Sequence, residues 1–178
     1  MDFSKISAGR NPPYDVNVVI EISAGGLPVK YEFDKNSGAL VVDRFLHTAM
    51  FYPGNYGFVP HTLSEDGDPI DVLVISAHPV VPGAVVRCRP VGALIMVDQA
   101  GGDEKVIAVP VDELHPFHTG IKNYSDLPQI LLQQIAHFFQ HYKDLEPNKW
   151  AKVGEWVDAA AAQKLIVEAI ERAGTAHG

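Results

Sequence analysis

The sequence predicts a mainly β, α+β domain in which an antiparallel barrel or sandwich carries helices on its outside. Two observations predict it. As far as Val109 the chain is filled by five or six alternating or apolar segments with glycine- and proline-marked bends and no helical stretch between them, which suits an antiparallel core and not a parallel α/β sheet. The last third then changes to a period near 3.6, the mark of amphipathic helices.

The first strand is Val16 to Ser23, where Val16, Val18, Ile20 and Ile22 alternate with a second face bearing Glu21. After the Ala24 to Pro28 turn comes Val29 to Asp34, whose period of two puts Lys30 and Glu32 on one face. Asn36-Ser37-Gly38 turns the chain into Ala39 to Leu46, which reads as the hairpin partner and carries Arg44. Residues Met50 to Pro60 are too broken by Pro and Gly for a regular element and read as a rigid loop. Asp71 to Ile75 is a short buried strand, Ala84 to Asp98 a long one bent at Pro90 and Gly92, and Lys105 to Val109 closes the run. Ser125 and Pro128 suit the start of a helix with a Leu131, Ile135, Phe138, Tyr142 stripe. Asp158 can cap a second helix with Leu165, Ile166, Ala169, Ile170 and Ala173 on its apolar face, fraying from Thr175 to Gly178.

The 178 residues suit one domain, 1–178, with 47% hydrophobic and 20% charged residues. A net charge of −8 argues against a general nucleic-acid or anionic-membrane binder. The start, Met1-Asp2-Phe3-Ser4-Lys5, lacks the layout of a signal peptide, and no apolar run suits a membrane span, so a cytoplasmic protein is expected. Cys88 is the only cysteine and reads as a small buried core residue.

The chemistry concentrates in Asp66-Gly67-Asp68-Pro69-Ile70-Asp71-Val72. Pro69 forbids a continuous helix and Gly67 permits a sharp turn, so three carboxylates crowd one small volume. Such crowding is costly without cations, and the expected guests are Mg²⁺ or Mn²⁺, with Ca²⁺ next. A solvated turn is the competing reading, and the spacing of the acids rejects an EF-hand. Asp98 and Asp103 bracket a second acidic turn. Metal ions held by carboxylates commonly face phosphate oxygens, which also call for Lys, Arg and Tyr. Lys30, Arg44, Tyr52, Tyr56, Lys105, Tyr142 and Lys143 are available, although spacing alone does not bring them together. His137 and His141 lack the intervening glutamate of a zinc-protease motif and read as a solvated or subunit-facing pair.

With these segments in order, the chain resembles the soluble family I inorganic pyrophosphatases of bacterial type. The acidic motif Asp66 to Val72 carries the resemblance, with Val18 to Ile22, Lys30-Tyr31-Glu32, Val42 to Phe45, Phe51 to Gly57, Arg87 to Gly92 and Ile135 to Glu146. The resemblance implies a distorted five-stranded OB-like barrel with two main flanking helices, several Mg²⁺ ions, and hydrolysis of pyrophosphate to two phosphates. It implies Asp66, Asp71, Asp98, Asp103 and Glu32 as metal ligands, with Asp68 as general base. It also implies Lys30, Arg44, Tyr56, Lys105, Tyr142 and Lys143 as phosphate-binding groups and Glu21 and Tyr52 as supports. A homohexamer is implied too, with the Ile135 to Tyr142 helix as a candidate interface. The rival readings are an OB-type oligonucleotide-binding module, which the acidic clusters oppose, and a Mg²⁺-dependent nucleotide phosphohydrolase, for which no nucleotide motif is present.

Overall fold

Residues 2–176 are described by a computed structural model. Met1, His177 and Gly178 lie outside the described residues, and with them part of the reading of the two ends.

The strands are β1 (Gly9–Asn11), β2 (Asp15–Ile22), β3 (Val29–Phe33), β4 (Leu40–Phe45), β5 (Asn55–Phe58), β6 (Asp71–Val74), β7 (Val85–Asp98), β8 (Gly101–Pro110) and β9 (Ala151–Asp158). The helices are α1 (Gln129–His141) and α2 (Ala159–Ala176). Strands β2, β5, β6, β8 and β7 hydrogen-bond in that order, and β7 pairs back onto β2 to close a five-strand ring. This is the OB-like barrel, distorted by register shifts in β2 and between Pro90 and Gly92 of β7. β1 and β9 extend the sheet outside the ring, while β3 and β4 form a two-stranded sheet of their own.

Period-two alternation divides the buried side chains between two clusters. Leu73, Ile107 and Val109 pack with Ile135, Phe138, Phe139 and Tyr142 from α1 and its end. Val72, Val74, Val106 and Ala108 pack with Ile166 and Ala169 from α2. Cys88 is fully buried in the second cluster, as its apolar strand suggests.

Several local expectations are corrected. β6 and β8 run parallel, so the ring is not wholly antiparallel. The loop expected at residues 50–60 contains β5, and β9 occupies Ala151–Asp158, where no strand is expected. The first helix is not capped by Ser125. Asn123 and Asp126 instead form a capping box on a short 3₁₀ turn, Tyr124–Asp126. Pro128 then holds Leu127 in an extended conformation, so the turn cannot run on into α1, which begins at Gln129. The aromatic stripe of α1 is buried against its own sheet, while His137 and His141 on the opposite face of that helix are exposed. Among the described residues no helix is long and apolar enough to cross a membrane.

Candidate active site

A cavity of about 980 Å³ opens between the β3–β4 hairpin, the acidic turn before β6, the β7–β8 turn and the end of α1. Every residue named from the sequence as ligand, base or phosphate-binding group lines it, and so does Glu21. Tyr52 does not. It is buried behind Tyr56, with ring centroids 5.4 Å apart, and borders a separate groove with Met50, Phe51 and His137.

Backbone geometry aims the three acids of the central motif differently. Gly67 adopts a φ of 92°, a left-handed conformation that strains other residues. The Asp66 carboxylate accepts the Asp68 amide at 3.0 Å, and the Asp68 carbonyl accepts the Ser64 amide at 2.7 Å. Asp68 is thereby left exposed, facing the hairpin, where Lys35 Nζ donates to it at 2.8 Å. Asp71 has entered β6, and the parallel register sets it beside Lys105 of β8.

Cations are interleaved with the acids. Lys105 is almost fully buried and reaches Asp71, Asp103 at 2.6 Å and the Tyr56 hydroxyl at 3.0 Å. Burial alone would push its ammonium group down, but the negative charges of Asp71 and Asp103 outweigh that and hold it well above the usual lysine value. Lys143 donates to Asp98 at 2.6 Å. Burial would raise Asp98, yet this ammonium and the Ala100 and Gly101 amides bring its carboxyl below the ordinary range. On the hairpin, register pairs Lys30 with Arg44. Lys30 donates to Glu32 and lies 3.6 Å from Asp43, and those acids overcome burial to keep it charged. Arg44 donates to Asp43 at 2.6 Å and to buried Glu146 at 2.7 Å.

Two carboxyls lack such compensation. Burial raises Asp66, and the charges of Asp71, Asp68 and Asp103 raise it further. Glu21 accepts the Phe33 amide at 2.9 Å, yet burial, with Asp71 and Glu32 nearby, pushes its carboxyl up to about 8. Among the described residues no three carboxylate, imidazole or thiol groups stand close enough to hold an ion as they lie, because lysines occupy the spaces between. The donor set nevertheless fits hard cations. All its groups are carboxylate oxygens, and Asp71, Asp68 and Asp103 add to the burial that raises Asp66.

Comparison with known proteins decides the family. A family described as inorganic pyrophosphatase matches residues 18–174. The chain belongs to the inorganic pyrophosphatase family. Inorganic pyrophosphatase of Caulobacter vibrioides is 64% identical over 172 residues, covering 97% of each chain. That of Brucella melitensis is 62% identical over 173 residues, covering 97% of this chain and 98% of the relative. Among solved structures, an inorganic phosphatase of Anaplasma phagocytophilum superposes with a TM-score of 0.94 at 55% identity, covering 96% of this chain and 99% of the other. The inorganic pyrophosphatase of Thermus thermophilus gives 0.91 at 44% identity, with 98% and 99% covered. The family I resemblance and the OB-like fold are thereby borne out.

Among charged residues, sequence reasoning missed four that line or brace this cavity. Lys35 and Lys149 line the cavity, and Asp43 and Glu146 hold Arg44 from two sides. Asp43 could have been found from its position next to Arg44 on the hairpin strand. The other three depend on contacts between distant segments.

Proposed function

We propose that this chain hydrolyses inorganic pyrophosphate to two orthophosphates by in-line attack of water. The observation that carries the proposal is the convergence of the acidic turn, Asp98, Asp103 and the Lys, Arg and Tyr groups on one cavity in a chain of this family. Asp66, Asp71, Asp98, Asp103 and Glu32 are the residues that would hold several Mg²⁺ ions, or Mn²⁺ in their place. When bound, these ions supply neutralisation of the substrate's negative charge and a lower pKa for the attacking water.

Asp68 is the general base. Its exposed carboxylate can take the water proton as the new P–O bond forms and the bridging P–O bond breaks, a contribution of about 10²–10⁴ in rate. Lys30 and Lys105 meet the phosphates as ammonium ions, because the acids beside them oppose the effect of burial. With Arg44 and Lys143 they stabilise charge accumulating on the departing phosphate. Burial pushes the Tyr56 and Tyr142 phenols up, so both remain hydrogen-bond donors to phosphate oxygens. Glu21 and Tyr52 support the site from behind, Glu21 through the Phe33 amide and Tyr52 through the Tyr56 ring.

The test is phosphate release from pyrophosphate and from ATP, each with Mg²⁺ and with chelator. Preference for ATP, or activity without divalent metal, overturns the reading. Asp68→Asn should lower turnover by at least about 10² while metal still binds by calorimetry. Unchanged turnover at saturating Mg²⁺ removes Asp68 as base.

The chain also self-associates in this proposal, as a homohexamer. Support comes from exposed apolar side chains beside the groove of Met50, Phe51 and Pro53, where Phe51 is 55% exposed. His137 and His141, with rings 4.7 Å apart, present the outer face of α1 there, and His141 Nδ1 lies 2.7 Å from Asp144. Sedimentation tests the assembly, and a monomer throughout refutes it.

A further inference from the structure

Lys30, Glu32 and Arg44 sit on a hairpin that forms a sheet of its own, so the main ladder does not set its distance from the acidic turn. Side chains must set it. At the base of the hairpin, Leu46 is buried and Tyr31 packs against the same core cluster. Nearer the tip, the Glu21 carboxylate accepts the Phe33 amide, and Lys35 reaches Asp68. Both contacts belong to the charged site itself.

A third contact, on the wall of the same cavity, is made by rings alone. The short turn Phe3–Lys5 at the start of the chain is capped by Asp2, whose carboxylate accepts the Ser4 amide at 3.2 Å and hydroxyl at 2.6 Å. It delivers the Phe3 ring to two others: Phe33 at 4.7 Å and 63° between planes, and Phe58 at 5.6 Å and 69°. Both are edge-to-face contacts, the arrangement in which a ring's positive rim meets its neighbour's negative face. Phe33 follows Glu32 directly, and Phe58 is the cross-strand partner of Asp71 in the β5–β6 ladder. Phe3 therefore links the strand that carries Glu32 to the strand position opposite Asp71, although it belongs to neither core cluster.

We propose that Phe3 is a positioning residue, an N-terminal aromatic clasp that fixes the hairpin against β5 and so sets the spacing between the two halves of the site. Its kinetic consequence rests on the pyrophosphatase reading above, but its structural consequence does not. Loss of the ring loosens the hairpin without opening the barrel. Lys30 and Arg44 then meet the phosphates less often in register, which weakens substrate binding more than it slows the chemical step.

The experiment compares the full chain with Phe3→Ala and Phe3→Tyr by hydrogen exchange and by steady-state pyrophosphate hydrolysis. In Phe3→Ala, amides of residues 29–45 should exchange about tenfold faster while those of β6, β7 and β8 are unchanged. KM for pyrophosphate should rise several-fold with kcat little altered, and Phe3→Tyr, which keeps the ring, should restore both. The clasp is overturned if hairpin exchange stays at the parent rate, if barrel and hairpin amides accelerate equally, or if tyrosine fails to restore the parent behaviour. Should no protein, the parent included, hydrolyse pyrophosphate, the functional reading fails and the exchange data still decide the clasp.

Discussion

Replacing Glu21 by glutamine should stabilise the metal-free protein, and by an amount that grows with pH. The Glu21 carboxyl is pushed from 4.5 up to about 8 in the folded chain, by burial first and then by the charges of Asp71 and Glu32. Between those values the unfolded chain has lost a proton that the folded chain keeps. The unfolded state therefore binds fewer protons, and stability falls as pH rises through the window. At about 1.4 kcal/mol per unit, the loss from this one group is about 1 kcal/mol at pH 5 and about 4 kcal/mol at pH 8. Glutamine cannot ionise, and its amide oxygen can still accept the Phe33 N–H. Urea denaturation in chelator, at fixed protein concentration, should show Glu21→Gln more stable than the parent by a gap that widens by about 3 kcal/mol between pH 5 and pH 8. A gap of equal size at both pH values refutes the argument.

Three further outcomes rest on close backbone contacts and on the balance of buried charge. A Cβ on Gly57 would stand 1.9 Å from the Val19 carbonyl oxygen, backbone against backbone. Gly57→Ala should therefore cost more than about 3 kcal/mol in thermal unfolding, while Gly120→Ala, with nothing within 4 Å, stays within about 0.5 kcal/mol. Arg44→Ala leaves buried Glu146, one of whose oxygens already lacks a partner, with only Lys149 at 3.5 Å. Chemical denaturation should register a loss of about 2–3 kcal/mol beside any loss of substrate affinity. Chelation should abolish phosphate release while far-UV circular dichroism stays unchanged, because internal lysines already balance Asp71, Asp98 and Asp103.

Much of the site was legible in the sequence because its residues lie in short local patterns. The acids of the Asp66–Asp71 turn, Lys30 with Glu32, and the Asp98–Asp103 hairpin are each positioned by period-two geometry or by Gly and Pro. β5 escaped because fit, not alternation, specifies it. Asn55 is fully buried, accepts the Ala24 and Val80 amides and donates to Ser76 and the His78 carbonyl. Gly57 permits the close approach of β2. β9 escaped because it lies on the outer edge of β7 with a register shift near Gly154, so its exposure never settles into alternation. The parallel pairing of β6 with β8 depends on ring closure, which local periodicity does not encode. The same is true of Lys35 and Glu146, whose partners stand 33 and 102 positions away.

The ring closure also has a consequence for synthesis. β7 pairs with β2 through residues 85–88, with β8 along most of its length and with β9 on its outer side. A chain emerging from its N-terminus exposes β2, the hairpin, β5 and β6 well before β8 arrives to join β6 to β7. Non-local pairing of this kind folds slowly, and the open edges of β2 and β6 invite wrong partners while they wait. Asp98, Asp103 and Lys105 arrive on the same two strands that complete the ring. A nascent chain therefore cannot assemble the charged cavity ahead of its barrel.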